Sequence, residues 1–400
     1  MADHHDGHSE HPRANLQENE NMTTLKGTQS PISTVVIFFL AACFSLLVLN
    51  RWLFTDLGVL SYGRIWQLYI SYTDFGFFRR GFVGTILSET KVNMLFSNEY
   101  YFAFFIHSIA ILVFSILIAY YCIKEGLNDL LFVFGIAFSP ALIIHSGYTT
   151  GALDVFVFIL AVINILYMPN SRLFAVFLII GVLIHELFLV TVPAQFWAYY
   201  VCQKSETEDF RNRKSYFSCA VLLITVFVVF YFGKIEISEP AFTEVMQEQL
   251  PNASEKHPLW SGFFELSSSV EENFDLTRGL LIAFMNGKIF FLAPLLLYVF
   301  FLILRAMQFV ASTAEAVLVV GAIFAPILIS LVAADLHRWF AMSASMALLI
   351  TLRLVSREGS TMSLWNWPIA LFCFLGPFGG AELERPFPLH QFWMERVLEL

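Results

Sequence analysis

Residues 101–123 read YFAFFIHSIAILVFSILIAYYCI, twenty-three consecutive positions without an Asp, Glu, Lys or Arg. A hydrocarbon layer about 30 Å thick is crossed by roughly 20 such residues as a helix, because only a helix satisfies every backbone N–H and C=O within its own segment. Similar runs recur along the chain, near Ile32–Leu49, Leu130–Ile144, Ala152–Met168, Leu173–Glu186, Leu187–Val201, Phe217–Phe232, Leu280–Leu304, Ala316–Ala334, Trp339–Leu354 and Leu364–Phe378. With Tyr101–Ile123 these make eleven candidate spans. The runs are continuous rather than alternating, which excludes a β-barrel. Leu173–Val201 is too long for one upright helix and short for two, so it reads as a tight hairpin or a broken helix.

The composition agrees. Of 400 residues, 58% are hydrophobic and 14% charged, and mean hydropathy is +0.68. A soluble domain needs about a quarter charged residues to cover its surface, so a soluble fold is excluded. The expected class is an all-α polytopic membrane protein. Residues 1–30 form a polar tail holding His4, His5, His8 and His11, residues 31–378 the membrane domain, and residues 379–400 a C-terminal tail. The net charge of −9 reflects acids outside the apolar runs and points to no nucleic-acid partner. Cys43, Cys122, Cys202, Cys219 and Cys373 lie in or beside apolar runs without paired spacing, as buried small hydrophobes do. No cleavable leader is expected, since the first apolar run follows about thirty polar residues.

Two long connections remain, residues 50–99 and 233–278. The first holds Ile65–Tyr72, which reads as a short helix lying in the membrane interface. Basic residues in short loops set orientation. The stretch with Lys204, Arg211, Arg213 and Lys214 is therefore expected in the cytoplasm, and parity adds Lys124, Arg172, Arg305, Arg353, Arg357 and the N-terminus. Both long connections then lie outside, where Arg51, Arg64, Arg79, Arg80 and Lys91 run against the rule.

Four clusters carry candidate chemistry: TDFGFFRRGFVG (73–84), HSGYTTGALD (145–154), His185-Glu186, and DLHRW (335–339). Charged groups at membrane depth are costly and mark function by default. Parity puts all four on the external face, where random placement would divide them. Arginine forks grip phosphate oxygens, and a tuned carboxylate or imidazole deprotonates a hydroxyl. Together they suit sugar transfer from a lipid-linked phosphate donor. Asp74 is the first choice of base, with Asp154 or Glu186 as alternates. Arg338 and one of Arg79 or Arg80 would hold the phosphate, His185 or His337 would position a sugar hydroxyl, and Asp335 would line the cavity. A structural reading stands beside each: a loop ion pair of Asp74 with Arg79 or Arg80, a helix cap at Asp154, a hydrogen bond at His185 or Glu186, and an intrahelical pair of Asp335 with Arg338. The four Glu of 236–248 read as a solvated face, and the glycines of 81–84 form no phosphate loop. Asn21-Met-Thr and Asn252-Ala-Ser match the glycosylation triplet.

Asp74 in the first long loop, Asp154 at the external end of a middle span and Arg338-Trp339 opening a late one resemble the GT-C superfamily of membrane glycosyltransferases and related bacterial surface-polysaccharide polymerases. That resemblance implies a polyprenyl-phosphate-linked sugar donor, a glycan or lipid-linked acceptor, surrounding membrane lipids, and residence in a bacterial inner membrane. The first acid would be the base or a metal ligand, and the arginine would contact the donor phosphate. The span count and cytoplasmic N-terminus look like the protein O-mannosyltransferase branch. The first loop lacks an Asp-x-Asp or Asp-Glu pair, so a divalent cation is compatible but no cofactor is required. No soluble C-terminal domain is expected within residues 379–400, so the acceptor is left unassigned. Transport or flipping of a polar or lipid-linked substrate is the rival class, and transfer of an acyl or phosphoryl group a third.

Overall fold

The computed structural model describes residues 30–46, 62–201 except 140, 148–149 and 168–169, 208–267 except 234 and 255–259, parts of 272–279, 293–331 and 336–358. Among these every regular element is helical and none is a strand. In chain order they are α1 (Pro31–Phe44), a 3₁₀ segment (Tyr62–Leu68), α2 (Tyr72–Phe75), α3 (Gly81–Glu89), α4 (Glu99–Lys124), α5 (Leu130–Ala137), α6 (Leu142–Ser146) and α7 (Asp154–Val162) with a π turn through Tyr167. Then follow α8 (Ser171–Ile184), α9 (Phe188–Val201), α10 (Glu208–Phe232), α11 (Glu239–Gln249), α12 (Pro251–Ser254), α13 (Trp260–Ser267), α14 (Ala293–Met307), α15 (Thr313–Leu328) and α16 (Leu336–Glu358). Three apolar stretches are long enough to cross a membrane: Glu99–Lys124, Ser215–Phe232 and Arg338–Arg357. Several shorter apolar helices pack around them. The candidate span Leu364–Phe378, both tails, and residues 280–292 of another candidate lie outside the described residues.

α16 is the axis of the bundle, packed on α14 and α15, with most of its apolar stretch buried. Arg338 and Arg357 stand near its two ends, about 28 Å apart at 1.5 Å per residue, close to one hydrocarbon thickness. Three helices run in the same direction. At their C-terminal ends Glu125 accepts from Ser356 Oγ at 2.6 Å, Leu166 O accepts from Arg353 at 3.4 Å, and Arg357 pairs with Glu315 at 2.9 Å. At the N-terminal ends of α7 and α16 stand Asp154 and Arg338, and His107 lies in the N-terminal half of α4. Lys124, Arg353 and Arg357 thus share one rim, as span parity requires.

The stretch 173–201 is a hairpin. Phe174 stacks on Tyr199 at 4.3 Å and meets Phe196 at 5.4 Å, pairings that only antiparallel arms allow. At the fold of the hairpin, a Cβ on Gly181 would lie 2.5 Å from the Phe188 ring, so only glycine permits the approach.

The candidate span Leu130–Ile144 is interrupted between α5 and α6. Leu142 adopts φ +52, unusual for a bulky residue, and its N–H is satisfied by Ser345 Oγ of α16 at 2.9 Å. Ile143 O accepts from Ser45 at 2.9 Å and Ser146 O from His107 Nε2 at 2.9 Å. The single turn α6 is therefore tied to three other parts of the bundle.

The two long connections pack on each other. Gln249 donates to Asp74 at 3.0 Å, Arg79 N–H to Gly233 O at 3.0 Å, and Asn252 N–H to Glu99 at 2.6 Å. Phe75 meets Phe242 at 5.3 Å. Both connections therefore cap the same end of the bundle. Ile65–Tyr72 is not an interfacial helix: Ile65, Trp66, Leu68 and Ile70 are at most 3% exposed and belong to the core under the cap. Its aromatic content reflects packing against α4 and α13 rather than lipid contact. The cysteines divide: Cys122 is buried, Cys43 half-buried and Cys219 exposed on the apolar flank of α10.

Candidate functional site

Two arginine–carboxylate pairs lie at the capped end, Arg338–Asp154 buried and Arg80–Glu186 part-buried. Arg338 directs Nε to Asp154 Oδ2 at 2.7 Å and Nη2 to Oδ1, a two-toothed grip across 184 positions of sequence. Arg80 grips Glu186 in the same way, with Nε 3.0 Å from both carboxylate oxygens and Nη2 on Oε1. The planar guanidinium matches a carboxylate as it matches a phosphate, which gives such pairs both strength and direction.

Local structure explains each position. Asp154 is the first residue of α7, where the helix dipole favours an anion. Arg338 sits in the first turn of α16, where the dipole disfavours a cation, so Asp154 compensates a placement that is otherwise adverse. Arg80 is the N-terminal flanking residue of α3 at φ +70, a left-handed conformation costly for a residue with a Cβ. It is held there because α3 presses on the chain beneath it. A Cβ on Gly84 would meet Ile70 O at 2.0 Å, which accounts for the glycines of 81–84 by packing.

His185 lies between the pairs. It caps the end of α8 with extended backbone, so the helix is broken and adjacent His185 and Glu186 serve one site. His185 Nδ1 stands 3.3 Å from Glu186 and accepts the Leu187 N–H at 3.1 Å. The neutral ring then carries its proton on Nε2, which has no hydrogen-bond partner among the described residues. Asp154 interacts electrostatically with both His185 and His145, and His107 with Asp154. His145 stands edge-on to Phe158 at 5.9 Å.

Five of the candidate residues thus come together: Arg80, Asp154, His185, Glu186 and Arg338. Asp74 does not join them through any hydrogen bond or ion pair. It is exposed, accepts from Ser71 Oγ at 2.6 Å and receives Gln249, while its own N–H returns to Ser71. Ser71 thus caps the single turn α2, its Oγ accepting the Asp74 N–H and donating to the Asp74 carboxylate. Arg79 points into the cap, donating to Leu266 O at 3.1 Å. Asp335 and the side chain of His337 lie outside the described residues. His107 and His145 had no assigned role in the sequence. His107 is concealed within the most apolar run, and its only signal is a titratable ring at membrane depth.

Among the described residues no three His, Cys, Asp or Glu side chains come together to hold a metal. Elsewhere in the cap Asn252 Nδ2 donates to Glu99 at 2.8 Å, so the amide of that glycosylation triplet is already engaged. Glu236, Glu239, Glu244 and Glu248 are exposed, as a solvated face requires. Comparison of the chain with protein-family models, curated proteins and solved structures returns no match.

Proposed function

We propose that this protein is a membrane glycosyltransferase or polysaccharide polymerase that uses a polyprenyl-phosphate-linked sugar donor at the capped, extracytoplasmic end of its bundle. The observation that carries the reading is the convergence of Arg80–Glu186 and Arg338–Asp154, with His185 beside Glu186, under a cap made by both polar connections. Two planar cations provide for a donor phosphate. Two carboxylates provide for removal of a proton from an acceptor hydroxyl, and His185 Nε2–H for orienting a sugar oxygen. Asp154 and Glu186 lie with the arginines and become bases only on release from them, whereas Asp74 is solvated and occupied with its cap. The hairpin arms of 14 residues each reach about 21 Å, short of the ~30 Å hydrocarbon thickness, so a hairpin entering from the opposite rim turns below the surface.

The test is product formation by variants reconstituted in liposomes. Asp154→Asn and Arg338→Lys should remove conversion of polyprenyl-phosphate sugar to polyprenyl phosphate while the protein still elutes as a folded species. Asp74→Asn should retain it. Loss of conversion with Asp74→Asn but not with Asp154→Asn would move the chemistry into the cap.

One set of contacts favours transport instead. Asn164, Gln195 and Thr191 form a fully buried polar chain in mid-bundle, with bonds of 2.6 Å, and Glu315–Arg357 closes the opposite rim. Polar groups at both ends and the middle are what a two-gated path requires.

A further inference from the structure

We infer that the donor phosphate is bound by exchange: it displaces Glu186 from Arg80, and the released carboxylate then becomes the base. The inference rests on the transferase reading for its last step but not for its first. In the ligand-free arrangement both guanidinium groups of the site already hold carboxylates in fork geometry. A phosphate can use the same donor edges of either arginine only if a carboxylate leaves, because the two anions seek the same planar geometry.

Glu186 is the one placed to leave. It lies in the short break between α8 and α9, outside regular helix, and its side chain is 15% exposed. Asp154 begins α7, gains from the dipole there, and is 11% exposed. Arg80 is fixed in its left-handed position by the packing of α3, so the carboxylate moves and the cation stays.

In the transfer step the released Glu186 takes the proton of the acceptor hydroxyl. The acceptor oxygen forms its bond to the anomeric carbon, the carbon–oxygen bond to phosphate breaks, and its electron pair leaves on the phosphate held by Arg80. A carboxylate still locked on Arg80 would be a poor base, so hydroxyl activation is withheld until donor is present.

Exchange has an unusual consequence, which farnesyl phosphate can test, with farnesol and inorganic phosphate as controls. In Glu186→Gln the competing charge is gone, so farnesyl phosphate should bind roughly tenfold tighter than to the unaltered protein, since charge-assisted bonds exceed neutral ones by about that factor. Arg80→Lys should bind it more weakly. Weaker or unchanged binding by Glu186→Gln overturns the exchange. The unaltered protein offers a second measurement: adding farnesyl phosphate should shift a carboxylate band in the difference infrared spectrum, and the band should be missing in Glu186→Gln. A spectrum without that shift also overturns it. Inorganic phosphate giving the same tightening as farnesyl phosphate would identify the ligand as a free anion rather than a lipid. If Glu186→Gln tightens binding but no sugar donor is ever consumed, exchange stands and the transferase reading falls.

Discussion

Removing Asp154 should destabilise the protein more than removing Arg338, although the two form one ion pair. Breaking a buried pair from either side leaves an uncompensated charge and costs about 3–5 kcal/mol. The helices make the two losses unequal. With Arg338→Leu, Asp154 remains at the first position of α7, where the dipole favours it by about 0.3–1 kcal/mol, and a carboxyl group can also take up a proton. With Asp154→Leu, Arg338 remains in the first turn of α16, disfavoured by a similar amount, and a guanidinium stays charged. The difference between the two variants should therefore be about 0.6–2 kcal/mol, taken from the sum of the two dipole contributions. The double Leu variant should recover most of the loss, because well-packed apolar replacements of buried pairs are often neutral. Unfolding in mixed micelles against SDS, followed by tryptophan fluorescence, measures all three. Equal losses, or a larger loss for Arg338→Leu, would refute the assignment of opposite dipole effects to the two ends of this pair.

Other outcomes follow from the same contacts. Gly84→Ala should destabilise by about 1–3 kcal/mol through overpacking, since its Cβ would fall 2.0 Å from Ile70 O; the same SDS titration reads it. Ser345→Ala should cost about 1 kcal/mol by leaving the Leu142 N–H of the strained turn unbonded, again by SDS titration. Reporter fusions after Lys91 and after Arg213 should report opposite sides of the membrane; the same side for both would invert the account of the hairpin.

The sequence made the helical membrane class plain because backbone desolvation leaves few alternatives to long apolar runs. It also exposed the anomaly at 173–201, which the Phe174–Tyr199 stack resolves as a hairpin. Asp154, Glu186, Arg80 and Arg338 were recognisable one by one as expensive charges. Their pairing was not, since partners 106 and 184 positions apart leave no local trace. Helical spacing offered Asp335 to Arg338; Asp335 lies outside the described residues, and the guanidinium grips Asp154 of α7. Asp74 stands apart from the paired charges. Its prominence beside two arginines suggested chemistry, while Ser71 three residues earlier marked a cap. Ile65–Tyr72 looked interfacial because aromatic content does not distinguish a lipid surface from a protein core.

The most direct measurement places polyprenyl-phosphate-linked sugar in vesicles with the unaltered protein and follows two quantities together. One is polyprenyl phosphate formed in the presence of a glycan acceptor. The other is the fraction of intact donor in each leaflet, read by its accessibility to periodate. The account predicts that product accumulates while intact donor stays in the leaflet where it was placed. Donor that equilibrates between leaflets without forming product would contradict it.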